Sequence, residues 1–265
     1  EKEVSLFASH KMDLGLKNKT AIITGASQGI GFAIARSLAE EGVKCILIAR
    51  NKNNLKIAKK TLKGTGHNYF ATDLMNINKT KNLISKIISE NNVEFCIHNI
   101  GGTLNKKPAL SPLEDWEKVL RFNAGVSIAI NNIIIPKMIE TGSGNIIHVS
   151  SIVSQQSTAS PFYSAAKSAV NGYVRGMGNY LAKSKVYLTG IVPGAFIGDL
   201  NAMGRFQHFK PDEYKEFVDK LPQKEMPHAK EYLEIIKILG HKEKARIFAG
   251  SLINLDSAQG LIIES

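Results

Sequence analysis

The feature that most constrains this chain is a regular alternation of short apolar runs with amphipathic stretches. Strands that alternate with helices form βαβ units, and right-handed crossovers between them build a parallel sheet with helices on both faces. The strand runs are apolar throughout, as burial on both faces requires. The chain is therefore predicted to have a doubly wound α/β fold. The predicted strands are residues 20–24, 44–49, 69–72, 93–98, 145–149 and 186–192, and the predicted helices are 30–41, 53–62, 78–90, 114–139 and 161–183.

The domain organisation follows from the absence of any linker-like tract. The 265 residues are 43% hydrophobic and 22% charged, which suits a globular core and excludes a disordered or fibrous protein. Residues 14–265 are predicted to form a single domain, and residues 1–13 an N-terminal extension, because Met12 resembles a natural start. Residues 198–228 are charged, aromatic and interrupted by prolines. We interpret them as a substrate lid, with a surface insertion as the alternative.

The charge and the cysteine content of the chain limit where the protein can work and what it can bind. A formal charge of +11 is compatible with nucleic acid, a membrane surface or an anionic ligand. No recognition motif or run of about 18 apolar residues occurs, so neither specific nucleic-acid binding nor membrane insertion is predicted. Cys45 and Cys96 lie in apolar runs, as buried thiols of a cytoplasmic protein would. No metal site is predicted, and His98 and His148 are interpreted as core histidines.

A glycine-rich loop joins the first predicted strand to the first helix. Residues 24–31 have the pattern T-G-x-x-x-G-x-G. Glycines permit a tight turn and a close approach of the backbone, and the helix N-terminus supplies unpaired N–H groups to an anion. The loop therefore predicts a phosphate cradle in a Rossmann-type sheet.

The loop resembles the cofactor loop of the classical short-chain dehydrogenase/reductase family, including its 3-oxoacyl-ACP reductase-like members. Further motifs follow in the family's order. The resemblance implies that Asp73 contacts an adenine and Asn99 the centre of a nicotinamide cofactor. The chain departs from the family pattern at His98, lacks a threonine after Pro193-Gly194, and has a late Thr-Gly only as Gln259-Gly260. The matching motifs are residues 98–101 for Asn-Asn-Ala-Gly, Asp73 after the third strand, Tyr163-x-x-x-Lys167, and Pro193-Gly194.

The end of the second strand indicates which cofactor is bound. An acidic residue there would bind the ribose 2′-OH of NAD, and a basic one the 2′-phosphate of NADP. Arg50 stands at this point, and residues 50–63 contain six basic residues and no acid. NADP(H) is therefore predicted in preference to NAD(H). The predicted cofactor-binding residues are Gly25, Ser27, Gln28, Gly29, Ile30, Gly31, Arg50, Asp73, Leu74, Asn99, Gly101, Tyr163, Lys167, Pro193, Gly194 and Phe196.

Tyr163 and Lys167 are four residues apart on a predicted helix and so share one face. A free tyrosine has a pKa near 10, and a neighbouring ammonium lowers it toward neutrality. We therefore predict that Lys167 lowers the pKa of Tyr163, which acts as the general acid or base. The resemblance gives Lys167 a second role, binding the nicotinamide ribose.

Two further polar groups complete the predicted catalytic set. A serine at the end of the fifth strand can polarise a substrate carbonyl. The local pattern favours Ser151, whereas the common family spacing from Tyr163 favours Ser150; we predict Ser151 and leave Ser150 open. The resemblance also implies that Asn123 bends its helix and holds a water that relays protons.

The predicted function is NADP(H)-dependent hydride transfer between the cofactor and a small carbonyl or alcohol substrate. A catalytically silent, NADP(H)-binding regulatory protein of the same fold is the alternative. The resemblance implies a homotetramer or homodimer built through residues 114–139 and 161–183. Neither the substrate nor the direction of the reaction follows from the sequence.

Overall fold

A single parallel sheet organises the part of the chain that the computed structural model describes, residues 13–105, 109–156, 160–198, 201–241 and 243–261. Its strands are β1 (Thr20–Thr24), β2 (Lys44–Ala49), β3 (Asn68–Ala71), β4 (Phe95–His98), β5 (Gly144–Val149), β6 (Val186–Pro193) and β7 (Leu252–Leu255). They lie in the order β3-β2-β1-β4-β5-β6-β7, and every neighbouring pair is parallel. The strand order reverses between β1 and β4, where open sheets bind ligands beyond the carboxyl ends of their strands.

Helices cover both faces of this sheet. They are α1 (Gly29–Glu40), α2 (Lys52–Thr61), α3 (Ile77–Glu90), α4 (Leu113–Leu120), α5 (Val126–Thr141), α6 (Pro161–Leu181), α7 (Ala202–Phe209), α8 (Pro211–Asp219) and α9 (Leu233–Gly240). On one face α1, α2 and α9 share a core cluster that includes Ile34 and Leu55. On the other face α3, α5 and α6 share a cluster that includes Ile84 and Val174. The predicted doubly wound α/β fold is confirmed.

The last strand, β7, was not predicted from the sequence. This strand has four residues, pairs only with β6 among the described strands, and is partly exposed along its length. A short edge strand buries too little apolar surface to stand out as a hydrophobic run.

The predicted helix at 114–139 is longer than expected and locally unwound. A π-helical turn, Arg121–Gly125, joins α4 to α5, and Asn123 lies at its centre. The whole run from Leu113 to Thr141 is, among the described helices, the one with the length and mean hydropathy (1.3) of a membrane span, but 56% of its apolar window is buried inside the protein. We interpret it as a core helix because it packs against α3 and α6.

Two expectations touch residues that the structure does not describe. Of the predicted N-terminal extension, residues 1–12 lie outside the described residues. The predicted lid begins at Gly198, after which residues 199 and 200 also lie outside them. Within the lid, α7 and α8 are described.

Candidate active site

A cleft of about 550 Å³ opens at the carboxyl ends of the strands. It extends from the ends of β2 and β3, past the glycine loop, to α6 and α7. Of the residues predicted to form the site, Gly31 and Asn123 lie behind its wall. The others line it: Gly25, Ser27, Gln28, Gly29, Ile30, Arg50, Asp73, Leu74, Asn99, Gly101, Ser151, Tyr163, Lys167, Pro193, Gly194 and Phe196.

The glycine loop forms the middle of this cleft. Gly25 and Gly29 have φ angles of 65° and 60°, in the left-handed region that favours glycine. The α1 helix begins at Gly29, its N-cap residue Gln28 makes no side-chain capping bond, and its first turn contains no acid. The N–H groups of this turn are therefore available to bind an anion.

Asn99 holds the glycine loop against β4. Its Nδ2 donates to the carbonyl oxygen of Gly25 at 3.1 Å, and its backbone N–H donates to Thr24 Oγ1 at 3.1 Å. Gly31 lies against the same amide, where a side chain at position 31 would collide with Asn99. Gly31 thus contributes to the site by allowing close packing.

The ends of β2 and β3 form one end of the cleft. Arg50 is exposed there, next to Asn51, whose Oδ1 caps α2 by accepting from the N–H of Asn54 at 3.0 Å. Asp73 follows β3, and its Oδ1 accepts from the N–H of Met75 at 3.0 Å. Among the described lining residues Asp73 is the sole acid, and those that follow β2 (Arg50, Asn51 and Asn54) include none.

Tyr163 lies near the other end of the cleft, on the first turn of α6. Burial raises the pKa of Tyr163, and its hydrogen bond with Ser151 opposes that rise. The net shift is therefore opposite to the lowering that was predicted from Lys167. The Nζ atom of Lys167 stands 5.7 Å from the centroid of the tyrosine ring, and desolvation of the phenolate is the largest cause of the raised pKa.

Lys167 is almost completely buried beneath the tyrosine. Its Nζ donates to the carbonyl oxygen of Val149 at 2.8 Å, and burial lowers its pKa to about 8. A Cβ at Gly101 would come within 3.1 Å of this Nζ and 2.6 Å of Asn123 Oδ1. A glycine at position 101 is therefore needed for the lysine, the asparagine and β4 to meet.

The two candidate serines have different surroundings. Ser150 is buried, and its Oγ donates to Asn171 Oδ1 at 2.6 Å. Ser151 is half-buried in the cleft, hydrogen-bonds Tyr163 and caps the short 3-10 helix that follows it. This geometry favours Ser151 as the residue that meets a substrate.

The side chain of Asn123 forms hydrogen bonds with backbone groups on two sides of it. Its Oδ1 accepts from the N–H of Gly102 at 3.0 Å, while its Nδ2 donates to the carbonyl oxygens of Gly102 and Val119, both at 2.9 Å. The side chain thus ties the loop after β4 to the π turn. It is buried, and it supports Gly101 from behind the cleft.

Several lining residues were not predicted from the sequence. Asn201 and Arg205 enter from α7, and Phe122 enters from the π turn. A capping signal was present at Asn51, since asparagine favours the N-cap of a helix. No local pattern pointed to the others, because distant segments bring them to the cleft. The residues missed are Ala49, Asn51, Asn54, Thr72, Ile100, Phe122, Val149, Asn201 and Arg205, with Ser150 left open.

A buried polar cluster lies on the face of the sheet that carries α5 and α6. His98 and His148 are register partners on β4 and β5, with ring centroids 4.6 Å apart. Asn131 bridges their Nε2 atoms, at 2.7 Å from His98 and 3.1 Å from His148. Burial lowers the pKa of His98 to about 4 and that of His148 well below its usual value, so both rings are neutral core histidines at pH 7.

Cys45 and Cys96 are buried thiols, as expected. Within the described ranges, no group of three His, Cys, Asp or Glu side chains is placed to hold a metal ion.

Comparison with known proteins identifies related sequences. Residues 19–205 match the family model described as short chain dehydrogenase. An uncharacterized oxidoreductase of Staphylococcus aureus (strain USA300) is 34% identical over 182 residues, which are 68% of this chain and 78% of that protein. An uncharacterized oxidoreductase of Staphylococcus saprophyticus is 30% identical over 185 residues, covering 68% of this chain and 79% of that protein.

Solved structures share the fold. A 3-oxoacyl-(acyl-carrier-protein) reductase from Agrobacterium tumefaciens C58, solved with NADP bound, superimposes with a TM-score of 0.85 at 23% identity, covering 95% of this chain and 99% of that one. A variant of actinorhodin polyketide ketoreductase, solved with NADPH, gives a TM-score of 0.84 at 21% identity, covering 92% and 97%.

Proposed function

Because the chain belongs to the short-chain dehydrogenase family, we propose that it is an NADP(H)-dependent oxidoreductase that interconverts a carbonyl and an alcohol. The observation that carries this proposal is the arrangement at one end of the cleft. There, Ser151 hydrogen-bonds Tyr163 and Lys167 lies beneath the tyrosine ring, while the glycine loop occupies the middle of the same cleft.

The residues of the cleft fit a dinucleotide. The first turn of α1 offers N–H groups to a diphosphate, in the arrangement that phosphate-binding helices use. Arg50, at the end of β2, has the planar fork that binds a phosphate in a bidentate manner. We therefore propose that Arg50 binds the 2′-phosphate and that Asp73 and Leu74 contact the adenine. The NADP and NADPH of the two similar solved structures support this choice over NAD(H).

Each of the proposed catalytic residues has a different role toward the substrate. A bound nicotinamide supplies or accepts the hydride. In our proposal Ser151 donates a hydrogen bond to the substrate's carbonyl oxygen, and Tyr163 donates its phenolic proton to the same oxygen as negative charge develops there. The raised pKa of Tyr163 keeps it protonated at neutral pH, which suits reduction of a carbonyl. Lys167 and Asn123 position the tyrosine and the loop after β4.

Substitution of Tyr163 tests the assigned acid. We expect wild-type protein to oxidise NADPH in the presence of one or more compounds from a panel of ketones, aldehydes and β-keto thioesters. Tyr163→Phe should lower kcat by about 10²- to 10⁴-fold, a far larger effect than any loss of NADPH affinity. Unaltered turnover in Tyr163→Phe would contradict the assignment. Wild-type protein that binds NADPH but turns over no compound of the panel would favour the silent binding protein.

The neighbouring serines supply a matched pair of controls. Ser151→Ala should lower kcat by about 10²- to 10³-fold, as loss of a donor to a developing oxyanion does. Ser150→Ala should mainly lower stability, because it removes the donor to Asn171 within the core. The reverse result would transfer the role to Ser150.

We also propose that the protein works in the cytoplasm as a homotetramer or homodimer on a small-molecule substrate. Tyr180 on α6 and Ile139 on α5 are large side chains left exposed on the helices predicted to associate. Sedimentation analysis of the purified chain tests the assembly.

A further inference from the structure

We propose that Asn171, on α6, is a positioning residue for the reaction, because it holds in place the turn from which Ser151 reaches Tyr163. We call residues 151–154, which follow β5, the Ser151 turn. The inference rests on the proposed function and deepens it, since Asn171 belongs to none of the motifs that predicted the catalytic set.

The face of α6 that carries the catalytic tyrosine also carries Asn171. Tyr163, Lys167 and Asn171 follow one another at intervals of four residues, so their side chains lie on one face of the helix. Lys167 donates to Val149 and Asn171 contacts Ser150, which places this face against the end of β5. Asn171 is 7% exposed and does not line the cleft, so it can act on a substrate only through other residues.

Three hydrogen bonds pass through the amide of Asn171 in one direction. Ser150 Oγ donates to Asn171 Oδ1 at 2.6 Å, and Asn171 Nδ2 donates to Ser154 Oγ at 2.7 Å. Ser154 Oγ in turn donates to the carbonyl oxygen of Ser151 at 2.6 Å. A hydroxyl has a single proton, so Ser154, which gives its proton to Ser151, needs a donor opposite it. The Nδ2 group of Asn171 supplies that donor.

The last of these bonds fixes the backbone of Ser151. Its carbonyl oxygen also accepts from the N–H of Ser154 at 3.0 Å, so the Ser151 turn is closed twice on the same atom. The Oγ atom of Ser151 accepts from the N–H of Val153 only at 3.4 Å, a long bond that restrains the hydroxyl weakly. The position of that hydroxyl therefore depends on the backbone that Asn171 holds through Ser154.

A double-mutant cycle tests whether Asn171 acts through Ser151. With a compound of the carbonyl panel that wild-type protein reduces, Asn171→Ala should lower kcat by about 10- to 10²-fold, the cost of a misplaced reacting group. In the Ser151→Ala background the same substitution should lower kcat by less than about twofold, because the hydroxyl that it positions is already absent. A loss of equal size in both backgrounds would overturn the inference.

The hydroxyl of Ser154 gives a second route to the same turn, which is needed if Asn171→Ala does not fold. Ser154→Ala removes the donor to Ser151 and should lower kcat, whereas Ser154→Thr keeps the hydroxyl and should stay close to wild type. Equal losses in these two variants, or no loss in Ser154→Ala, would overturn the inference. Circular dichroism verifies that each variant is folded.

Two exposed residues of α6 supply the controls. Asn179→Ala makes the same chemical change on the same helix, and Ser168→Ala removes a 3.0 Å hydrogen bond to the carbonyl oxygen of Ser154 without touching the bonds through Asn171. Both should keep the kcat of wild type. NADPH affinity, measured by calorimetry, should be unchanged in Asn171→Ala, because Asn171 lies outside the cleft.

NMR of tyrosine isotopically labelled at Cζ follows the phenol of Tyr163 without a substrate, and Tyr163→Phe identifies its resonance. Ser151→Ala should shift this resonance by removing a hydrogen bond to the phenol. Asn171→Ala should shift it in the same direction and should add nothing in the Ser151→Ala background. Asn179→Ala should leave it in place.

The outcomes separate this inference from the proposed function. Wild-type protein that reduces no compound of the panel would overturn the proposed function and the effect on catalysis with it. A resonance that moves in Ser151→Ala but not in Asn171→Ala would overturn the role of Asn171 alone. A resonance that moves in neither variant would contradict the hydrogen bond between Ser151 and Tyr163, on which both rest.

Discussion

The ammonium of Lys167 lies at a position that is only 3% exposed, where it donates a hydrogen bond to the backbone carbonyl of Val149. Burial disfavours the charged form and lowers the pKa of Lys167 to about 8, from 10.5 in the unfolded chain. Between these values the unfolded state binds more protons than the folded state does. The free energy of unfolding contributed by this residue therefore rises with pH across that window.

Lys167→Met makes this cost measurable. We expect wild-type protein to gain about 1.5 kcal/mol of unfolding free energy relative to the variant between about pH 8 and about pH 9.5, because each pKa unit corresponds to about 1.36 kcal/mol. Urea unfolding of both proteins at the two pH values measures the difference, in which contributions from buried thiols and phenols largely cancel. A difference that is independent of pH would show that the ammonium is not desolvated.

At the scale of elements, a single glutamine connects the segment after β7 to the segment after β6. Gln259 is buried, and its side chain makes two bonds to Ala195, accepting from the N–H at 2.7 Å and donating to the carbonyl oxygen at 2.9 Å. Gly194 lies directly against the same amide, where a side chain at position 194 would collide with it. Gln259 thus fixes the loop that lines the cleft at Pro193, Gly194 and Phe196.

Gln259→Ala should lower the free energy of unfolding by about 1–3 kcal/mol, since it removes the partner of two backbone groups. It should also weaken NADPH binding, because the loop that lines the cleft is no longer fixed. Gln155→Ala is the control: this exposed glutamine bonds Asn254, and its loss should change stability by less than about 0.5 kcal/mol. Urea unfolding and NADPH titration compare the two. Equal losses of stability and of NADPH affinity in the two variants would show that the hydrogen bonds to Ala195 do not fix the loop.

Features that depend on neighbouring residues could be predicted from the sequence, whereas contacts between distant residues, such as those of Gln259, could not. Local signals were sufficient for β1, the glycine loop and α1, because the apolar period and the glycine spacing lie within one short segment. The pair Gln259-Gly260 appeared only as a weak motif, since its significance depends on a contact 64 residues away in the chain. Arg205 was missed for the same reason. The direction of the Tyr163 pKa shift was missed because burial is not visible in a four-residue spacing.

At the scale of the whole molecule, the sheet carries two adjacent buried histidine rings whose protonation would lower the free energy of unfolding. His98 and His148 pack between β4, β5, α5 and α6, with Asn131, Tyr173 and Cys96 as polar neighbours and Lys167 as the nearby cation. Their folded-state pKa values lie below the ordinary histidine value, about 4 for His98. The stabilisation is therefore complete above about pH 6.5 and is lost as the pH falls toward 4, because the unfolded chain takes up the protons first.

Substitution of His98 should make the molecule less sensitive to acid. Relative to His98→Asn, wild-type protein should lose about 1.5 kcal/mol of unfolding free energy between about pH 6.5 and about pH 5, which is the cost of one histidine that protonates only when unfolded. The asparagine keeps a donor for Asn131 and removes the titrating ring. His208→Asn, at an exposed position on α7, should follow wild type across the same range. Urea unfolding at several pH values measures the unfolding free energy of all three proteins. If the unfolding free energies of wild type and His98→Asn changed with pH in parallel, the buried neutral imidazole would not be the origin of the acid sensitivity.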